Sequence, residues 1–182
     1  GAVVVGTTQF TNAVVQRANL NRVGFVRIGL PAGKSLPPLS GWPEDLAEVV
    51  RGQSFFVRGG MEYDGRLFEQ LDELAIVEAA KHFSDDGTNA IVVSGSFSPI
   101  DAQQENRAAE LIADHHPEAR ITMSHQLGQL GLLERENAGG LNACLLQLAT
   151  SVISAFASAI DEAGFGENTR LFLTQNNGTL LE

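Results

Sequence analysis

The sequence predicts an α/β fold, a mainly parallel sheet with helices on both faces. Three observations predict it. Short apolar, β-branched runs alternate with helical patterns along the whole chain, the order that builds βαβ units. The strand-like runs are apolar throughout, as in strands covered on both faces. Gly, Pro, Asn and Ser mark the joins between them.

The elements follow in order. Ala2-Val3-Val4-Val5 closes at Gly6 and reads as a buried strand. Thr7 or Thr8 can cap a helix running to about Arg17. Residues 22–28 read as the next strand, so residues 1–28 form the end of a first βαβ unit with parallel pairing. Residues 29–43 are rich in Pro and Gly and form a loop ahead of the main α/β domain, 44–182. Pro43, Glu44 and Asp45 open a short helix, with proline and acids in its first turn. Residues 54–58 are a strand, and the turn-rich 59–65 suggests a hairpin that interrupts a purely parallel sheet.

Residues 72–83 are an amphipathic helix with Leu74, Ile76, Val77 and Ala80 on one face. Residues 89–93 are a strand. Asp101 caps a helix through His115, with Glu105 near the position of a capping box. Pro117 ends it and residues 120–123 are a strand. Residues 133–163 read as one long helix, with Leu141, Cys144, Leu145, Leu148, Val152, Phe156 and Ile160 at helical spacing. Gly139-Gly140 either kinks it or admits a neighbouring backbone. Its other face is small and uncharged, which predicts burial on both sides. Residues 170–174 are the last strand, followed by Gln175-Asn176-Asn177-Gly178.

Composition bounds the function. The chain has 182 residues, enough for one domain or two small ones, with 43% apolar and 19% charged residues, a soluble globular balance. Twelve basic against 22 acidic residues give a net charge of −10. No basic patch exists for a phosphate polymer or an anionic membrane, so neither nucleic acid nor membrane is an expected partner. The single Cys144 excludes an internal disulfide and a paired-cysteine metal site; it reads as a buried, inert thiol and suits a cytoplasmic location. No metal site is expected. Residues 137–160 carry no charge, but Asn142, Gln147, Thr150, Ser151, Ser154 and Ser158 make them too polar for a bilayer core. The sequon Asn177-Gly178-Thr179 has no sign of secretion beside it. The chain enters a strand directly after Gly1, without a methionine, and Leu181-Glu182 fits a cloning remnant. The expectation is a piece of a longer protein.

Ligands of parallel sheets bind at the carboxyl ends of strands, and four such ends are polar here. In the first, Gly6 lets a ligand approach the backbone while Thr7, Thr8 and Asn12 offer hydroxyl and amide groups beside a helix N-terminus; Thr8 is equally an ordinary N-cap. The second is Ser94-Gly95-Ser96-Phe97-Ser98-Pro99, which turn chemistry explains as well. The third is Ser124-His125-Gln126, where His125 is a candidate general base or a structural histidine. The fourth is Gln175, Asn176 and Asn177, amides able to read a polar substrate, within an Asn-Gly hairpin signal. Arg135 and Glu136 open the long helix, where a cap or a salt bridge to a neighbouring layer is the default. His115-His116 reads as a dipole partner at a helix end, and 59–65 as a turn. G-x-G-x-x-G after a strand, G-x-x-x-x-G-K-S/T, H-E-x-x-H and G-x-S-x-G are missing.

The run Gly6-Thr7-Thr8-Gln9-Phe10-Thr11-Asn12-Ala13 is similar to the G-T-T-x-x-T-N-A run of the hydantoinase/oxoprolinase family, which includes N-methylhydantoinase, 5-oxoprolinase and acetone carboxylase subunits. Arg22-Val23-Gly24, Gly59-Gly60, Asp64-Gly65-Arg66, Phe97-Ser98-Pro99 with Glu105, Ser124-His125, Leu132-Leu133-Glu134-Arg135-Glu136-Asn137, Leu141-Asn142-Ala143 and Thr174–Thr179 continue the resemblance in family order. Each motif is weak alone; together they span almost the whole chain.

The resemblance implies an actin-like ATPase architecture of the ribonuclease H-like kind, truncated here. It implies an enzyme that uses ATP and Mg to activate a carbonyl or amide oxygen by phosphorylation, followed by cyclic-amide hydrolysis or carboxylation. The family's Asp-x-Gly-Gly-Thr phosphate motif is expected upstream of Gly1, and a second nucleotide-binding domain beyond Glu182. The fragment is therefore expected to hold no ATP and to be inactive alone. The resemblance places Gly6, Thr7, Thr8 and Asn12 at the catalytic cleft, with His125, Arg135, Glu136, Gln175, Asn176 and Asn177 as further candidates. Hydroxyls and amides would orient a small-molecule substrate and Arg135 would offset developing negative charge. A second enzyme subunit or domain is the expected partner. A part of an acetone-type carboxylase subunit and a non-catalytic scaffold module remain open beside the hydrolase.

Overall fold

The computed structural model describes residues 2–6, 8–129, 131–164, 170–174 and 180–181. The chain divides into two compact units: Asn21–Cys144 is one, and Gly1–Leu20 with Leu145–Glu182 is the other.

The Asn21–Cys144 unit is a four-stranded parallel sheet. Its strands are β2 (Val23–Leu30), β3 (Arg51–Arg58), β4 (Ala90–Gly95) and β5 (Arg120–Met123), in the order β3-β2-β4-β5. The helices are α2 (Glu44–Val50), α3 (Glu73–Asp86), α4 (Gln103–His115) and α5 (Leu132–Cys144). Alternation along the central strands sorts the faces. Val26, Ile28, Ile91 and Val93 point to one side, where they form the core with Ile76, Ala80 and Phe83 of α3 and Ala108 and Ile112 of α4. Phe25, Arg27, Val92 and Ser94 point to the other, towards α5. With helices on both faces, β2 and β4 are buried along almost their whole length, which is why their sequences are apolar without alternation.

Local chemistry sets the helix ends. Asp72 caps α3 by accepting from the Ala75 N–H at 3.1 Å, and Gly87 ends it with φ of 70°. Asp101 accepts from the Gln103 N–H at 2.9 Å, and α4 starts at Gln103, one residue later than Asp101 as its cap suggests. Gly139 and Gly140 let α5 lie close on the sheet: a Cβ at Gly139 would stand 2.8 Å from Val92 Cγ1, and one at Gly140 3.1 Å from Leu39 Cδ2. The segment after β3 closes through a single antiparallel bridge between Met61 and Leu67, outside a sheet that stays wholly parallel.

The other unit holds a three-stranded sheet in the order β1-β6-β7. β1 (Ala2–Val5) pairs in parallel with β6 (Arg170–Thr174), and β7 (Leu180–Leu181) pairs antiparallel with β6. Helices α1 (Thr8–Gln16) and α6 (Leu146–Glu162) belong to it. Among the described residues no single helix is long and apolar enough to cross a membrane.

Three sequence expectations are corrected. Residues 1–28 are not a βαβ unit, and 29–43 is not a boundary. Both edges of β2 are taken by β3 and β4, and residues 29–43 lie inside the Asn21–Cys144 unit. Arg17 and Asn19 take positive φ, 54° and 58°, and end the local course after α1. The long helix is two helices. Its ladder stops at Leu145, because the Cys144 carbonyl accepts from the Asn21 N–H at 2.8 Å and not from residue 148. Nor is α6 buried on two sides, since Val152 is its one buried residue.

Candidate functional site

The carboxyl ends of β2, β4 and β5 converge on a set of buried polar side chains. Strand periodicity turns Arg27 and Ser94 out of the apolar core towards α5. The first turns of α5 present Arg135 and Glu136 to them, and the first turn of α4 presents Glu105 from the other side of the sheet. Arg27, Ser94, Glu105, Ser124, Arg135 and Glu136 are all 2% exposed or less. Burial of this many charges requires that each be matched.

Two clusters do so. In the first, Arg27 makes a two-pronged ion pair with Glu136: Nε donates to Oε1 at 2.9 Å and Nη2 donates to Oε2. Ser94 Oγ donates to Glu136 Oε1 at 2.7 Å, Arg27 Nη1 donates to the Gly33 carbonyl at 2.8 Å, and the guanidinium lies 5.1 Å from the Phe56 ring centroid. This cluster ties the 31–36 segment, β2, β4 and α5 together. In the second, Glu105 is the hub. Its Oε1 accepts from the Gly95 N–H at 2.7 Å and from the Ser98 and Ser124 hydroxyls, each at 2.6 Å. Its Oε2 meets the His125 N–H at 3.0 Å and His125 Nδ1 at 2.7 Å. Arg135 closes the cluster: Nε donates to Ser124 Oγ, Nη2 to the Gly95 carbonyl and Ser98 Oγ, and Nη1 to the Gln129 carbonyl. Burial lowers the Arg135 guanidinium from its usual value, against the raising pull of Glu105, Glu134 and Glu136. No buried side-chain nitrogen or oxygen lacks a partner among the described residues.

Open space lies beside these clusters. A cavity of about 370 Å³ is lined by Leu127, Gly128, Gln129, Gly131, Glu134 and Arg135. A second, of about 610 Å³, lies where the 61–71 segment meets the start of α4, with Met61, Leu67 and Leu71 beside Gln70, Asp101 and Gln104. Gln104 anchors this region by accepting from the Gly60 N–H at 2.5 Å and donating to the Glu69 carbonyl at 2.8 Å. Gly60 has φ of 115°, and a Cβ there would come 3.2 Å from that of Ser96, so only glycine allows the loops after β3 and β4 to meet.

The residues singled out from sequence are distributed as follows. His125, Arg135 and Glu136 lie in the Asn21–Cys144 unit. His125 and Arg135 share the Glu105 cluster, and Glu136 is the salt-bridge partner of Arg27. Of these three only His125 keeps a side chain partly open, 18% exposed. Gly6, Thr8 and Asn12 belong to the other unit. All three are exposed, and Thr8 and Asn12 are one helical turn apart on the same side of α1. Thr7, Gln175, Asn176 and Asn177 lie outside the described residues. His116 is a structural histidine, its Nε2 3.1 Å from the Thr88 carbonyl oxygen. Among the described residues no three His, Cys, Asp or Glu side chains gather as a metal ligand set.

Sequence reasoning missed the two organising charges. Arg27 carried a signal, a lone cation inside an apolar strand, which requires a buried partner. Glu105 stood in the family resemblance and near a capping-box position, but an acid in a first turn is ordinary helix chemistry and gave no sign of a hub.

Comparison with known proteins gives consistent findings. The hydantoinase/oxoprolinase N-terminal region matches residues 1–116. The alpha subunit of caprolactamase from Pseudomonas jessenii is 27% identical over 125 residues, covering 68% of this chain and 18% of that subunit. The crystal structure of the ATP-dependent caprolactamase from Pseudomonas jessenii superposes with a TM-score of 0.74 at 22% identity, over 96% of this chain and 26% of that one. The nucleotide-free structure of acetone carboxylase superposes with a TM-score of 0.73 at 16% identity, over 98% and 28%. The chain thus spans about a quarter or less of the length of these relatives. With the family's N-terminal region matched over residues 1–116 of its 182, the chain belongs to the hydantoinase/oxoprolinase family.

Proposed function

We propose that the chain is part of an ATP-dependent hydrolase of cyclic amides, of the hydantoin or 5-oxoproline type, located in the cytoplasm and working with a second subunit or domain. The observation that carries this reading is the family match over residues 1–116, joined by the likeness to the alpha subunit of a caprolactamase. Gly6, Thr7, Thr8 and Asn12 would orient the substrate at the end of β1, with Gln175, Asn176 and Asn177 offering amides at the end of β6. His125 would face the reacting groups, while Arg135 and Glu136 would hold the strand ends rigid from within. In this reading ATP and Mg are held by the longer protein, ATP supplying the phosphoryl group that activates the amide oxygen. The chain alone binds neither tightly and is inactive.

A second reading, part of an acetone-type carboxylase subunit, is compatible with the fold shared with acetone carboxylase. A non-catalytic scaffold module is the third. The test is the ATPase rate of the full-length protein, alone and with its partner subunit, in the presence of hydantoin, 5-oxoproline, caprolactam, or acetone with bicarbonate. Stimulation by a cyclic amide, with ring-opened product, supports the hydrolase. Stimulation by acetone with bicarbonate alone moves the assignment to a carboxylase, and no turnover in a folded complex moves it to a scaffold. Thr8→Ala in the full-length enzyme is expected to lower kcat/KM by about 100-fold with folding intact, the scale of losing one positioned polar group; full activity would remove Thr8 from the site.

A further inference from the structure

The hydrogen bonds around Glu105 have only one consistent direction. Arg135 carries donors and no acceptor. Its Nε and Nη2 donate to Ser124 Oγ and Ser98 Oγ, both at 3.2 Å. Each hydroxyl has a single proton, and both serines lie 2.6 Å from Glu105 Oε1, so both protons point at the carboxylate. The N–H groups of Gly95 and His125 donate to it as well. At these four contacts Glu105 is an acceptor. As a carboxylate Glu105 has no proton to give, so the fifth contact, from Oε2 to His125 Nδ1 at 2.7 Å, places the proton on Nδ1. In the neutral ring the lone pair falls on Nε2, which has no partner among the described residues, on a side chain 18% exposed.

We infer that Glu105 is a positioning residue that holds His125 as the Nδ1–H tautomer, making Nε2 the outward proton acceptor at the carboxyl edge of the sheet for a ligand N–H or a bound water. The donor's X–H bond breaks, its electron pair stays with the donor, and its proton goes to Nε2. The imidazolium formed keeps Nδ1–H against the Glu105 carboxylate, which stabilises the new charge. Burial of Glu105 at 0% exposure and its anchoring by two serines and a main-chain N–H fix the ring's direction before a ligand arrives. The Nδ1–H form alone is shared with His115, whose Nδ1 lies 2.9 Å from the Leu111 carbonyl oxygen; His125 differs in having a buried carboxylate behind the ring, able to stabilise an imidazolium. The tautomer stands on geometry alone; that the donor is a water or an amide N–H rests on the hydrolase reading.

The experiment is two-bond ¹H–¹⁵N correlation of the imidazole rings in the chain as described, at about pH 8, where an ordinary histidine is neutral, with His125 assigned by loss of its signals in His125→Gln. A neutral ring protonated at Nδ1 is expected. A ring protonated at Nε2, or at both nitrogens, overturns the proposal. Glu105→Gln places an amide N–H against Nδ1 and is expected to move the ring towards the Nε2–H form while the far-ultraviolet circular dichroism is kept. Persistence of the Nδ1–H form in the folded variant would show that Glu105 does not set it. The wild-type spectrum decides whether or not the variant folds. It reads the tautomer without turnover, so failure of the hydrolase reading and failure of this one are separate results.

Discussion

At Glu136 a full charge is removed from water, and the cost is offset by Arg27 and Ser94. Removing one member leaves the other buried and unmatched, which costs about 3–5 kcal/mol. Glu136→Gln should therefore lower stability by about that amount in urea unfolding, whereas the paired change Arg27→Met with Glu136→Leu should cost clearly less. Equal losses would show that the site tolerates an orphan charge. Cys144 makes a different prediction. Burial pushes its thiol up from 9.0 to about 11. Between those values the unfolded chain loses the proton and the folded chain keeps it, so the unfolded state binds fewer protons and stability falls as pH rises, by at most about 1.4 kcal/mol per unit. Unfolding midpoints at about pH 8 and about pH 10 should differ less in Cys144→Ala than in the wild type. The same burial should keep Cys144 unreactive towards alkylating reagents until the chain unfolds.

At the scale of elements the sequence was largely legible, because each signal was local. The run of valines, Pro43 with its acids, the amphipathic pattern over 72–83 and the Pro117 stop marked β1, α2, α3 and the end of α4 within a few residues. What it concealed was set by distant partners. The break between α5 and α6 has no glycine or proline at Leu145; it depends on the Asn21 N–H taking the Cys144 carbonyl. The glycine pair 139–140 left a kink and close packing both open, and it serves close packing. Candidate sites were legible as polar strand ends, yet sequence could not show that Arg135 and Glu136 turn inward while His125 stays partly open, because helix phase relative to the sheet decides that. Gly139→Val tests the packing role. Its branches would drive into Val92, and overpacking of this kind costs about 1–3 kcal/mol. A variant as stable as the wild type would mean that α5 can lift from the sheet.

The whole molecule is organised by where its chain crosses between units. Asn21–Cys144 is one continuous segment, while the other unit is assembled from two segments that flank it. The two ends of the continuous segment meet, since the Asn21 N–H donates to the Cys144 carbonyl at 2.8 Å. Adjacent ends are the condition under which one domain can be inserted into another without disturbing either. The segment also contains its own sheet, covered by helices on both faces, and both buried charge clusters close within it. Nothing in local sequence could reveal this, because β1 finds its partner in β6 at the far end of the chain. The arrangement predicts that residues 21–144, produced alone, fold cooperatively with a single urea transition and keep the His125 tautomer of the longer chain. The flanking unit has no such independence, because β1 and β6 must be brought together by the segment between them. A non-cooperative 21–144 would place the interactions that hold this sheet outside its own residues. A cooperative one would make it a self-standing scaffold that presents His125 at its strand ends, leaving residues 1–20 and 145–182 to supply the groups at the end of β1.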